Sequence, residues 1–212
     1  LFAALGSQEI YKMHENLVYK LLISVLSILF GALLAFGFNR KLKNIDLLEE
    51  KKSRCRLSAY ILYKQYEGIM QFFDDFLLPF KEHSYREEVI APVKFRSESC
   101  IVDISSISFL LTTDDPYTLH GISCLQDRYQ TIVDIINDRH DLHMRIQADI
   151  KSTWEPGSLG EYDSTHLKIM TDALFEHIPE FVEAYFISKD RFEKRYELIF
   201  KEKGPLVYGE KS

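Results

Sequence analysis

The sequence predicts an all-α membrane protein: a transmembrane helix near the N-terminus, followed by a cytosolic antiparallel helical bundle. Three observations carry this. The 18 residues from Leu21 to Phe38 contain no charge. A heptad of apolar and aromatic residues follows, and later segments repeat apolar residues at three- and four-residue steps. No segment reads convincingly as a strand. Averages hide this division, because 27% charged residues and a mean hydropathy of −0.14 are those of a soluble chain.

The apolar run LLISVLSILFGALLAFGF is roughly 27 Å long as a helix, close to the roughly 30 Å hydrocarbon core of a bilayer. Lys20 marks one edge, with Tyr19 and Tyr11 on the same side, where amphipathic rings favour the interface. Arg40, Lys41 and Lys43 mark the other. A buried helix of a soluble protein is usually shorter or amphipathic. A cleavable signal has a shorter apolar stretch and a small-residue cleavage site, whereas this run ends in a stop-transfer flank. Between Arg40 and Arg56 stand seven basic and three acidic residues, net +4, against zero for the N-terminal flank. The positive-inside rule therefore places everything after Phe38 in the cytosol. The apolar start Leu1–Leu5 reads as the end of a first span. On that reading 21–38 is the second half of a two-helix hairpin, and Gly6–Lys20 is a short outer loop. The expected division is a membrane segment over 1–39, a cytosolic bundle over 40–204 and a tail over 205–212.

Ser27, Gly31 and Ala35 recur every four residues, with Ser24 one turn earlier. Small residues in this register let helices approach closely in lipid. The stripe would serve within a hairpin or between protomers.

Residues 44 to 78 read as one long helix leaving the membrane. Leu48, Cys55, Leu62, Ile69 and Phe76 repeat every seven residues, as do Ala59, Tyr66 and Phe73. This seam packs either on the protein's own helices, which the aromatic residues favour, or on another molecule. Pro79 should stop it. Asp103 is a good N-cap for a short apolar helix over 104–111. Asp115-Pro116 starts a second long helix reaching about Ile150, with a stripe of Ile122, Leu125, Tyr129, Ile132, Ile136, Ile146 and Ile150. Lys151 to Asp163, with Trp154, Pro156, Gly157 and Gly160, reads as a loop. Asp163 or Ser164 caps a third helix, Pro179 begins or kinks a fourth, and Gly204-Pro205 ends it. The expected bundle thus has about four helices.

Chemistry-bearing motifs are scarce. Cys55, Cys100 and Cys124 are odd in number and irregular in spacing, unlike a disulfide framework or zinc site. No Walker-type loop, G-x-S-x-G, H-E-x-x-H or C-x-x-C is present. Ser105, Ser106 and Ser108 have no activating partner nearby in sequence. Asp134, Asn137, Asp138, Arg139, His140, Asp141 and His143 cluster on the second long helix. A bundle di-metal site wants Glu-x-x-His on two helices, and the chain has none. The cluster reads instead as a solvated or helix-pairing face, with Asp134, Asp138 and Asp141 available to dock a partner. No catalytic residue, metal or cofactor is expected. Residues 57 to 212 carry a net −10, the difference between the chain's −6 and the +4 flank. Direct phosphate binding wants the opposite sign, so no direct nucleic-acid binding is expected. The basic flank suits anionic headgroups.

The stretch Asp103-Ile104-Ser105-Ser106-Ile107-Ser108-Phe109-Leu110-Leu111, then Asp115-Pro116, Tyr129 and Ile136-Asn137-Asp138-Arg139, resembles a loose group of bacterial inner-membrane proteins with helical cytosolic domains. Some of these are similar to membrane effectors of retron anti-phage systems. The resemblance implies an abortive-infection effector, held silent by a reverse transcriptase carrying its RNA–DNA hybrid and disrupting the inner membrane when released. It transfers no functional residue. The alternative is a non-toxic, membrane-tethered adaptor or sensor; a membrane-bound enzyme is a third class.

Overall fold

The structure is a computed structural model and describes residues 2–95, 101–111, 115–149 and 161–205; for 2–19, 149, 161 and 162 it describes backbone alone. Its described residues are helical, with no strand among them. Four α-helices are α1 (Phe2–Phe72), α2 (Arg86–Val89), α3 (Tyr117–Asp149) and α4 (Glu161–Phe200). The chain divides into two units, Leu1–Lys51 and Lys52–Ser212.

In the first unit α1 is unbroken. Residues 6–20, expected as an outer loop, continue the helix. Every residue from Lys20 to Glu50 is exposed. Leu48, expected at the head of the core seam, is among them at 42%. The side chains of Tyr11 and Tyr19 lie outside the described residues.

In the second unit the heptad becomes a core. Cys55, Ala59, Leu62 and Ile69 are buried, and Tyr66 and Phe73 pack against them. The register changes at the end of α1. A π-turn over Phe73–Leu77 is closed by the Leu78 N–H on the Phe73 carbonyl. This inserts a residue, so Leu77 takes the buried place expected of Phe76, which is only partly buried. Pro79 lies in the 3₁₀ turn Leu78–Phe80 that follows.

Asp103 accepts from the Ser105 and Ser106 N–H groups and opens a 3₁₀ helix, Ile104–Leu110. The Ser105 hydroxyl beside it, 2.6 Å away, holds the Asp103 carboxyl below its usual range. Asp115 caps α3 by accepting from the Tyr117 and Thr118 N–H groups, both at 3.1 Å. The α3 stripe is buried from Ile122 through Ile146; Ile150 and the expected loop 151–160 lie outside the described residues.

Two expected helices are one. α4 starts at Glu161, so Asp163 and Ser164 lie inside its first turn, and it runs through Pro179. An interior proline costs roughly 3 kcal/mol. Pro179 is exposed, so water can satisfy the carbonyl it strands, while Leu174, Ile178, Phe181 and Tyr185 hold both flanks in the core. Burying these four offsets the loss at about 1.5–3 kcal/mol each. The helix ends at Phe200, four residues before Gly204, with Lys201 left-handed at φ 55°.

Partner residues give the directions. Tyr66 stacks on Tyr185 and Phe73 meets Phe175 edge-on, so α1 and α4 run oppositely. Arg128 pairs with Glu180 and Arg139 with Thr171, so α3 and α4 also run oppositely. Gln65 and Gln126 exchange amide hydrogen bonds of 3.0 and 2.7 Å between α1 and α3. The bundle therefore has three long helices among its described residues.

Candidate functional site

The span is the first candidate. Twelve large apolar side chains between Leu21 and Phe38 are exposed, from Ile23 at 46% to Ile28 at 71%. Leaving twelve such half-exposed groups in water forgoes roughly 10–20 kcal/mol, as much as the stability of a typical domain. This helix is long and apolar enough to cross a bilayer, and none of its apolar window is buried within the protein. Ser27, Gly31 and Ala35 lie on it with open surroundings; a Cβ added at Gly31 would meet nothing within 4 Å. Lys20, Arg40, Lys41 and Lys43 are exposed at its two edges.

The basic flank is not uniform. Glu202, just past α4, accepts from Lys52 Nζ at 2.9 Å, from Arg56 Nη2 at 3.5 Å and from the Tyr196 hydroxyl at 2.5 Å. The Tyr196 hydroxyl and Lys52 hold the Glu202 carboxyl below its usual range. Lys52 and Arg56 of that flank thus serve the bundle.

The polar cluster on α3 splits in two. Asp134, Asp138 and Asp141 are exposed and one turn apart, so they share an outer face. Asp134 accepts from Gln130 at 2.7 Å, and Asp141 lies 3.6 Å from Lys94. Asp138 and Asp141 line an open groove of about 510 Å³ with Leu142, Arg145, His166 and Met170. Arg139 and His143 turn inward and are buried. The Arg139 guanidinium donates to the carbonyls of Glu87 (3.0 Å), Ile90 (2.7 Å) and Ala91 (3.4 Å) and to the Thr171 hydroxyl (3.2 Å). It ties the end of α2 to α3 and α4, and burial lowers its pKa to about 10. Burial, then Arg139 and His140, push the His143 imidazole down to about 4. Asn137 accepts from the Phe95 N–H at 2.8 Å. Sequence alone could not separate Arg139 from its exposed neighbours, since all are polar; its signal is position, on the side of the helix that carries Ile132 and Ile136.

No group of three metal-ligating side chains occurs among the described residues. His120 and Cys124 stand one turn apart, with Sγ 3.5 Å from Nε2. Ser105 and Ser106, free of any role in the sequence, spend their hydroxyls on the Asp103 cap. A second groove of about 280 Å³ is lined by Asp127, Arg128, Thr131, His177 and Glu180, with Arg128 and Glu180 paired across it at 2.8 Å. Comparison of the chain with family models, with curated proteins and with solved structures finds no match. What the structure shows is a helical bundle and one helix long and apolar enough to cross a membrane.

Proposed function

We propose that the chain is a membrane-anchored, non-enzymatic helical protein. It spans the bacterial inner membrane through residues 21–38 and holds its bundle on the cytosolic side for a protein partner, with Asp134, Asp138 and Asp141 as the docking face. The supporting observation is the complete exposure of residues 20–50 around an uncharged 18-residue run. Arg40, Lys41 and Lys43, exposed at the edge of this run, supply the cytosolic bias. A second reading makes the span the output: an anti-phage effector that disrupts the membrane when a nucleoprotein partner releases it. What it rests on is the row of exposed apolar side chains along 21–38.

The test is thiol accessibility in intact cells. Cys55 is fully buried, and burial pushes its thiol up to about 12, so it stays silent throughout. Cys124 is half-buried and is the informative probe. It should remain unlabelled by an impermeant maleimide until the inner membrane is opened, and the chain should stay in the membrane at alkaline pH. Labelling of Cys124 from outside would reverse the orientation; extraction by alkali would remove the anchor.

A further inference from the structure

The chain turns back on itself at the end of α4. The Lys201 N–H closes the helix on the Glu197 carbonyl at 2.8 Å, and Lys201 takes its left-handed conformation there. That turn swings Glu202 towards α1. One carboxylate oxygen of Glu202 accepts from the Tyr196 hydroxyl (2.5 Å) and Arg56 Nη2 (3.5 Å), the other from Lys52 Nζ (2.9 Å). The Lys52 side chain is largely buried. Gly204 then lies flat on α4: its N–H donates to the Glu197 carboxylate at 3.3 Å, and a Cβ there would stand 3.3 Å from the Glu193 Cα. Residues 201–204 thus form a strap tied to α1 and α4 at once. Between the two basic residues it grips lies Cys55, fully buried. Tyr66 stacks on Tyr185, so eleven residues further along each of these antiparallel helices, Cys55 stands level with Tyr196. Tyr196 and Phe200 share its core cluster.

We propose that residues 201–204 are a latch: gripped through Glu202, they keep this end of the bundle closed over Cys55, and their release uncovers that thiol without unfolding the rest. The wall that α4 raises over Cys55 is its last two turns, and a helix end frays unless something ties it down. Here the ties are few. Phe200 packs on Tyr196 at 4.7 Å and meets Phe109 edge-on at 6.3 Å, and the strap supplies the polar contacts beyond them. The opposite end of the bundle has its own fastening, Arg139, whose bond to Thr171 lies about seven turns of α4 from Tyr196. Ends fastened separately open separately, each at a cost below that of global unfolding. Cys55 is then a core thiol with the latch closed and an accessible thiol with it open.

The experiment measures how fast N-ethylmaleimide labels Cys55 in the full chain, folded in mild detergent. Peptide mass spectrometry reads that residue apart from the other cysteines. Glu202→Gln should raise the rate about tenfold, the effect of losing one partly screened charge-assisted hydrogen bond. Adding Lys52→Met to it should raise the rate little further, because both break the same contact. Gly204→Ala keeps the charge but sets a methyl group against Glu193, and should also speed labelling. Arg139→Met loosens the far fastening and should leave the Cys55 rate within about twofold. A rate unmoved by Glu202→Gln would overturn the latch. So would a rate that rises as much with Arg139→Met as with Glu202→Gln, since the thiol would then be reached only through global unfolding.

Discussion

Replacing Arg139 by methionine keeps a long side chain but removes four donated hydrogen bonds. In the folded protein the guanidinium reaches the Glu87, Ile90 and Ala91 carbonyls and Thr171, wholly away from water. Two terms oppose each other. Burial of the charge is costly: the fall in pKa from 12.5 to about 10 corresponds to about 3 kcal/mol against the folded state at neutral pH, and methionine relieves it. Against this, each charge-assisted bond contributes about 1.5–3 kcal/mol, and each carbonyl left orphaned costs about 1–3 kcal/mol. With at least two carbonyls stranded, the hydrogen bonds win, and Arg139→Met should destabilise the bundle by about 2–4 kcal/mol. Arg139→Lys, with one ammonium for a planar fork, should recover only part of this. Urea unfolding of the full chain in mild detergent, followed by far-UV circular dichroism, measures the difference. Proteolysis should cut near α2 first, because that short helix loses its tie to α3 and α4. A variant within about 0.5 kcal/mol of wild type, the ordinary range for a surface substitution, would show that the guanidinium does not hold α2.

Acid should expose His143. Its folded value near 4 lies below the ordinary 6.5, so the unfolded chain binds the proton first as pH falls. Stability is complete above pH 6.5 and lost progressively down to pH 4, by at most about 3 kcal/mol. His143→Leu should flatten that part of the stability profile, and a slope unchanged from wild type would contradict the assignment. For the two functional readings, the full chain expressed alone should depolarise the inner membrane if the span is the output. Leu29→Arg, costing about 2.5–3.5 kcal/mol on insertion, should abolish the effect. A normal potential with confirmed insertion leaves the tether.

Elements whose signals are local were legible in the sequence. Asp103 and Asp115 sit beside the N–H groups they cap, and the residues from Cys55 to Ile69 show their face by period alone. Elements decided by distant packing were not. Pro179 normally ends a helix, yet core contacts on both flanks carry α4 through it. Gly204-Pro205 looked like the stop, but Lys201 takes the left-handed position, and Gly204 instead fits closely against Glu193, where a Cβ would lie 2.9 Å from its Cγ. The π-turn that exchanges Phe76 for Leu77 has no period of its own. At the candidate sites, the uncharged run was plain from composition. The inward turn of Arg139 depends on partners more than 30 residues away in the chain, and it was hidden among acids and histidines.

Glu202 grips Lys52 across 150 residues of chain, and this sets an order of events during synthesis. The span leaves the ribosome early, while the last partners of α1 are made only at the end. At about 5–20 residues per second, that gap lasts roughly 8–30 s. Throughout it, Leu62, Ile69 and their neighbours wait for partners on α4 that are not yet made. On the anchored reading proposed above, insertion precedes folding and the bundle assembles on a chain already tethered at one end. A nascent chain stopped before α4 would then reach the membrane with this seam unclosed, a ready substrate for chaperones and for membrane-bound proteases.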